Sequence, residues 1–225
     1  MKSLRFILPC VAMLIATACS TTRRLGADDI LYTGVKKTII LPDSGQKLAP
    51  GLDADVKEAV NVKPNNCLIS PSLRYPFPLG LWVYNNWPNP PKGFRHWLYE
   101  KLVEEPVLIS DVRPEVRTEM IDQILDNHGY FRGHASYELA QGKNKKKASI
   151  IYKVNTGPQY YIDTIYSMPD TLRLYHLIDS VVRKCSYMRP GSRYDTDSLN
   201  EVRVRIANAL RNKGYYFFKP DYCLL

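Results

Sequence analysis

The stretch LDNHGYF, from Leu125 to Phe131, decides the fold, because nearly the same stretch returns 85 positions later as LRNKGYYF, from Leu210 to Phe217. Each copy ends a helical pattern at a glycine and continues at once into aromatic residues. Glycine readily adopts the positive φ that ends many helices, and aromatic residues favour strands. The doubled stretch therefore predicts a helix, a glycine turn and a strand, used twice in one chain.

An amphipathic helix is predicted before each glycine. The first covers Pro114–Asn127, with Ser110 or Asp111 as its N-cap and Gly129 at its end. The second covers residues 196–213 and ends at Gly214. Their apolar residues fall at helical spacing: Val116, Met120, Ile121, Ile124 and Leu125 in the first, and Leu199, Val202, Ile206 and Leu210 in the second.

Strands are predicted where apolar and polar residues alternate. An antiparallel hairpin with one buried face is expected from residues 131–139 and 148–154, joined at a lysine-rich tip. A further strand is expected at 159–168, and a first strand at 35–43. Additional helices are predicted at 53–60 and 170–185.

Together these segments predict an α+β fold of tandem β-α-α-β-β modules. The first module covers residues 31–157, with residues 61–113 as an insertion. The second covers residues 158–225 and is incomplete, because the chain stops where its last hairpin begins. No series of alternating strands is long enough for a β-barrel, so none is expected in this chain.

The N-terminus carries a targeting signal. Lys2 and Arg5 precede the apolar run 6–18, which is too short to span a bilayer and is typical of a secretory signal peptide of residues 1–18. Cys19 follows directly, at the position where bacterial lipoproteins are cleaved and acylated, so lipidation of Cys19 is predicted. An ordinary secreted N-terminus uses the same cleavage point and stays the alternative. Residues 19–30 would form a tether.

The charge and the cysteine content limit the kinds of partner and of covalent cross-link that the chain can have. Two of the 31 Lys and Arg residues leave with the signal, so 29 face 22 Asp and Glu residues. The densest cluster, GKNKKK at 142–147, is interpreted as a solvated hairpin tip and not as a nucleic-acid contact, so no nucleic-acid partner is expected. Contact of this cluster with lipid headgroups or lipopolysaccharide stays open. Cys67, Cys185 and Cys223 remain in the mature chain, and pairing of Cys185 with Cys223 or buried free thiols are both open.

No catalytic or cofactor motif is present in the sequence. The four histidines, at positions 96, 128, 134 and 176, lack the spacing of a metal or catalytic site, and surface solvation accounts for His128 and His134. We therefore expect no enzyme activity, no metal and no cofactor.

The insertion at 61–113 contains all three tryptophans, Trp82, Trp87 and Trp97, in a run dense in proline and aromatic residues. Prolines exclude a long helix or a central strand here. Two interpretations are open. The tryptophans form a docking surface for a partner protein, or they belong to an irregular layer buried over the first module's sheet.

Several motifs in this order resemble a known family. After the lipidation signal come PNNCLISPSLRYPFPLGLWVYN (64–85), EEPVLISDVRPEVR (104–117), ILDNHGYFRGHASYEL (124–139) and KVNTGPQYYIDTIYSM (153–168). Over nearly the whole mature chain they are similar to the N-terminal part of the lipidated BamA/TamA-type outer-membrane assembly proteins of Bacteroidetes, the TamL-like proteins. The predicted modules resemble POTRA (polypeptide-transport-associated) domains.

This resemblance implies a function. The chain would be the periplasmic POTRA portion of an outer-membrane protein assembly or translocation factor, lipid-anchored in the outer membrane and facing the periplasm. Its partners would be unfolded outer-membrane proteins and assembly proteins. Clients would pair with an exposed edge strand, matched here by Phe131, Arg132, His134, Ser136 and Glu138; a blunted edge is the alternative. Lacking a barrel, the chain is expected to be a truncated product. A stand-alone periplasmic lipoprotein that binds a partner or envelope component is the other hypothesis.

Overall fold

The structure is a computed structural model that describes residues 21–43, 45–67, 78–87, 91–166 and 173–223. The predicted signal peptide and Cys19 lie outside these residues. The helices and strands, numbered in chain order, are β1 (Leu31–Pro42), α1 (Leu52–Ala59), α2 (Leu79–Asn86), α3 (Phe94–Leu102), α4 (Ile109–Val112), α5 (Pro114–Asn127), β2 (His134–Gln141), β3 (Lys147–Gly157), α6 (Arg173–Val182) and α7 (Thr196–Arg211). A 3₁₀ helix follows at Pro220–Tyr222.

The described residues combine helices with one open, three-stranded sheet in the order β1-β3-β2. β2 and β3 are neighbours joined by a five-residue loop, which confirms the predicted hairpin. The central strand β3 has the predicted alternation. The residues that it buries are Ala148, Ile150, Tyr152, Val154 and Thr156. The predicted first strand and the predicted helix at 53–60 are also present, as β1 and α1.

Helix α5 has the predicted bounds, but only part of its apolar stripe is buried. Ile121 and Leu125 are fully buried, whereas Val116 is 44% exposed and Met120 is 38% exposed. The predicted N-cap is wrong, because Ser110 and Asp111 belong to the short helix α4. Arg113, in the left-handed conformation at φ 49°, separates that helix from α5, and Asp111 accepts the backbone N–H of Leu108 instead.

The doubled stretch has the same backbone hydrogen bonds in both copies. The N–H of Tyr130 donates to the carbonyl of Leu125 at 2.8 Å, and the N–H of Tyr215 donates to Leu210 at 3.1 Å. Gly129 and Gly214 both have positive φ, 80° and 99°. The prediction that glycine ends both helices is therefore confirmed.

The strand predicted after the second glycine is wrong for the described residues. Residues 215–223 form local turns and the 3₁₀ helix, in which the N–H of Phe218 bonds Tyr215 and that of Tyr222 bonds Lys219. The strand predicted at 159–168 is also wrong for the residues up to 166, where only Tyr161 forms an isolated bridge, to Arg193. A strand persists only where a neighbouring backbone completes its hydrogen bonds.

In its described residues, the predicted insertion contains helices α2, α3 and α4. Both α2 and α3 are short, of 8 and 9 residues, as expected for a region bounded by prolines.

Among the described residues, none of the helices combines the length and the apolar composition needed to cross a membrane.

The chain divides into two compact units, each drawn from three stretches of sequence. The first takes the described residues of Met1–Ile39, Lys57–Thr118 and Ser136–Tyr152. The second takes those of Ile40–Val56, Glu119–Ala135 and Lys153–Leu225. The second unit thus contains residues from both sides of position 157, and the predicted module boundaries stay predictions.

Candidate peptide-binding edge and aromatic surface

Strand β2 lies at one edge of the sheet, and in the described part of the chain its only strand neighbour is β3. Three of the five residues predicted for the pairing edge belong to it: His134, Ser136 and Glu138. Phe131 and Arg132 come before the strand begins. An edge strand presents backbone donors and acceptors on the side without a neighbour, which makes β2 a candidate peptide-binding element.

The Asp122 carboxylate of α5 shows which residues face outward. Its Oδ1 accepts the backbone N–H of Ala135 at 2.6 Å, so this N–H points away from β3. Backbone groups alternate in direction along an antiparallel ladder. The backbone groups of Tyr137, Leu139 and Gln141 therefore point to the outer side, and those of His134, Ser136 and Glu138 point toward β3.

Asp122 also contacts the side chain of His134, the first residue of β2. Its second oxygen lies 3.0 Å from His134 Nδ1, while the His134 side chain stays 75% exposed. Because Asp122 occupies the first outward N–H, the section of edge left for an added strand begins at Tyr137. Sequence reasoning missed Asp122, since nothing in the helix pattern distinguishes it from the other charged residues of α5.

The Tyr137 side chain is fixed by Glu115. The Tyr137 hydroxyl donates to Glu115 Oε1. This hydrogen bond lowers the pKa of the Glu115 carboxyl and raises the pKa of the Tyr137 hydroxyl. Leu139 is 39% exposed, so the outward section of β2 carries one fixed aromatic side chain and one accessible aliphatic side chain.

Phe131 takes part in an aromatic cluster. Its ring meets Tyr160 edge-on at 5.3 Å and Tyr194 edge-on at 4.9 Å, and it is 46% exposed. The next residue but one, Gly133, donates its N–H to the Tyr130 carbonyl at 2.8 Å, so the chain is still turning here. Phe131 therefore supports the turn before β2 and is not part of the strand.

The opposite edge of the sheet is partly covered. The N–H of Tyr32 in β1 donates to the carbonyl of Val107 at 2.9 Å, and the N–H of Ile109 donates to the carbonyl of Ile30 at 2.9 Å. Leu31 and Leu108 form the bridge between them. This covered start of β1 contrasts with β2, where the described residues provide no second strand.

The three tryptophans lie in different environments. Trp82 and Trp87, on and just after α2, are half-buried and meet edge-on at 6.4 Å. Trp97 on α3 is 52% exposed and stacks on Phe94, which is 74% exposed, at 5.6 Å. The sequence does not distinguish these environments, and only Trp97 presents most of its surface to solvent.

His128 is not simply solvated, which corrects the expectation for this residue. Its Nε2 lies 2.8 Å from Asp55 Oδ2 of α1, and its side chain is only 15% exposed. Its Nδ1 lies 4.0 Å from Asp195 Oδ1, the residue that caps the start of α7. The Gln159 amide donates to the His128 carbonyl at 3.3 Å. His128, which directly follows α5, therefore contacts both α1 and the N-cap residue of α7.

Cys185 and Cys223 are free thiols and do not form the disulfide that the sequence left open; Cys185 is buried, as is Cys67. Burial raises the pKa of the Cys223 thiol.

Within the described ranges, no group of three or more His, Cys, Asp or Glu side chains is placed to hold a metal ion. The absence of enzyme activity and of cofactors stays a prediction.

No protein-family model and no curated protein matches this chain. The likeness to the BamA/TamA-type proteins therefore rests on the sequence motifs alone.

Proposed function

We propose that this protein is the periplasmic, POTRA-like portion of an outer-membrane protein assembly or translocation factor that binds unfolded client chains by edge-strand pairing. The observation that carries the proposal is the position of β2 at the sheet edge. The Asp122–Ala135 hydrogen bond and the alternation of an antiparallel ladder indicate that the backbone groups of Tyr137, Leu139 and Gln141 lie on the outer side. Cys19 would carry the lipid that anchors the chain to the outer membrane, facing the periplasm.

The element order supports the proposal. From β1 to β3 the chain runs strand, helix, inserted helices, helix, strand, strand, which is the order expected for the first module. The same backbone geometry at Gly129 and Gly214 supports a relationship between the two copies of the stretch, although a strand follows only the first copy in the described residues.

Edge pairing suits a client whose sequence varies. Backbone N–H and C=O groups are the same at every residue, so an added strand gains most of its binding energy without a specific side chain. The accessible Leu139 side chain would add apolar contact with a client side chain that lies opposite it on the same face of the sheet. Clients with alternating apolar residues, as in strands of outer-membrane proteins, fit this arrangement.

The test replaces one outward N–H. Leu139→Pro removes the donor that faces away from β3, and proline is tolerated on the outer side of an edge strand. We expect roughly tenfold weaker binding of a fluorescein-labelled extended peptide with alternating apolar residues, measured by fluorescence anisotropy. Leu139→Ala, which keeps the N–H and shortens the side chain, should weaken binding much less.

A control variant checks which backbone N–H groups of β2 point toward β3. Ala140→Pro removes an N–H that faces β3, so it should lower the melting temperature, while Leu139→Pro should leave it nearly unchanged. Bound peptide should slow amide exchange at Tyr137, Leu139 and Gln141. Peptide binding unaffected by Leu139→Pro, in a protein that melts normally, would exclude pairing at this edge.

A further inference from the structure

The chain directly after the expected lipidation site is fixed to the insertion. Asn85 of α2, only 3% exposed, accepts the Arg24 N–H at 2.9 Å and donates to the Thr21 carbonyl at 3.0 Å. Thr21 and Leu25 are themselves buried. Residues 21–25 therefore do not form a free linker but lie along α2.

Charged side chains secure the same segment. The Arg24 guanidinium donates to the carbonyls of Tyr84 and Trp87, at 2.5 and 3.1 Å, where α2 ends and its carbonyls lack helical partners. Lys146, at the lysine-rich hairpin tip, donates to the carbonyls of Leu25 and Gly26 at 3.1 and 3.0 Å. Residues 21–26 thus contact both α2 and the hairpin tip.

Helix α3 packs on α2 and presents an unusual surface. Phe94 and Trp97 stack on each other while 74% and 52% exposed, and Lys101 follows Trp97 by one helical turn. Lys92 and Arg95 are also exposed. We call these five residues the interfacial face: Lys92, Phe94, Arg95, Trp97 and Lys101. The neighbouring carboxylate of Glu100 pairs with His96 at 3.2 Å.

We propose that the interfacial face docks on an anionic phospholipid surface. Exposed Trp and Phe beside Lys and Arg is the composition that binds the headgroup region of a bilayer, where aromatic rings are buried and cations meet lipid phosphates. The interfacial face carries three exposed cations close in sequence to the aromatic pair, so its charge is complementary to that surface.

The position of the face supports this occupant. Cys19, the expected acyl anchor, precedes the fixed Thr21 by two residues, a reach of about 7 Å when extended. Because the acyl anchor would lie so close to α2, and α3 packs on α2, the distance between α3 and the bilayer would be limited. This inference does not depend on peptide binding by β2, and failure of one leaves the other intact.

The experiment measures how close Trp97 comes to lipid. The full chain is bound to vesicles of phosphatidylethanolamine and phosphatidylglycerol that contain brominated lipids, which quench only nearby tryptophans. Subtracting the signal of Trp97→Phe isolates Trp97 from Trp82 and Trp87. We expect Trp97 to be quenched, and less so when phosphatidylcholine replaces phosphatidylglycerol or when salt is raised.

Charge reversal tests the complementarity. Lys92→Glu combined with Arg95→Glu should reduce the docked population roughly tenfold, since each cation near an anionic membrane contributes appreciably. The matched variant Lys213→Glu with Lys219→Glu makes the same change in net charge in the other unit, and should leave Trp97 quenching unchanged. Thermal unfolding would verify that both variants fold.

A second variant removes the apolar contact. Phe94→Ser should likewise reduce Trp97 quenching, whereas Tyr166→Ser, which removes another highly exposed aromatic ring, should not. Trp97 that stays unquenched on vesicle-bound chain, or equal quenching in the charge-reversed and matched variants, would overturn the proposal. Either result would leave a protein partner as the occupant of this face.

Discussion

The Asp122 carboxylate accepts the backbone N–H of Ala135 at 2.6 Å and thereby closes the first outward donor of the edge strand β2. A side chain from α5 thus sets where an added strand can begin. The contact satisfies an edge N–H, and under the proposed edge pairing it would leave the donors from Tyr137 onward for a client strand.

Replacing Asp122 should destabilise the protein and expose this donor. Asp122→Ala is expected to lower the free energy of unfolding by about 1–2 kcal/mol, because a charge-assisted hydrogen bond is lost. Amide exchange at Ala135 should accelerate, measured by NMR. His134→Ala, which removes the other partner of Asp122, should have a small effect because His134 is 75% exposed. Unchanged exchange at Ala135 in Asp122→Ala would contradict this role.

Tyr152→Phe should stabilise the protein by about 1 kcal/mol. Tyr152 is fully buried in β3, and among the described residues its hydroxyl has no hydrogen-bond partner. Burial also raises the pKa of this hydroxyl. Chemical denaturation of the two proteins gives the difference, and a loss of stability on replacement would mean that a buried water satisfies the hydroxyl.

The pair of Tyr137 and Glu115 should give a small pH dependence. Because the folded-state pKa of Glu115 is lowered, its contribution is present above the unfolded pKa and is lost as pH falls through the folded pKa. Since the pKa of Tyr137 is raised, its share is lost as pH rises through its folded pKa. Both groups are exposed enough that solvent screens the pair, so Tyr137→Phe should cost less than about 1 kcal/mol at neutral pH. The cost should shrink at acid pH; a constant cost would assign it to packing.

The two glycines of the doubled stretch form a matched pair for mutation. Alanine at Gly214, with φ 99° and no atom within 4 Å of the added Cβ, should cost only the left-handed backbone penalty of about 1–2 kcal/mol. At Gly129 the added Cβ would lie 2.9 Å from the carbonyl oxygen of Tyr194, so the cost should be clearly larger, about 3 kcal/mol. Equal melting temperatures for the two variants would show that Tyr194 moves away freely.

Lipidation at Cys19 can be tested directly. Cells that express the chain and are fed a palmitate analogue should label it, and the Cys19→Ala chain should not be labelled, because no other thiol lies at the cleavage point of the signal. A chain with Cys185→Ala provides the control and should label normally. Label retained by Cys19→Ala would refute the assignment.

What the sequence by itself determined is local. The bounds of α5, the helix at 196–211, the alternation of β3 and the two glycine turns depend on hydrogen bonds and side-chain periodicities within a few residues, so they can be predicted from the pattern. The repeat of LDNHGYF and LRNKGYYF was informative for this reason, since Tyr130 bonds Leu125 as Tyr215 bonds Leu210.

Only the tertiary structure decided the rest, because the partners are distant in the chain. Ala135 is 13 positions from Asp122, Thr21 is 64 from Asn85, and Asp55 is 73 from His128. No spacing rule connects such residues. Strand formation depends on distant partners too, so similar aromatic stretches lead into a paired strand after Gly129 and into local turns after Gly214.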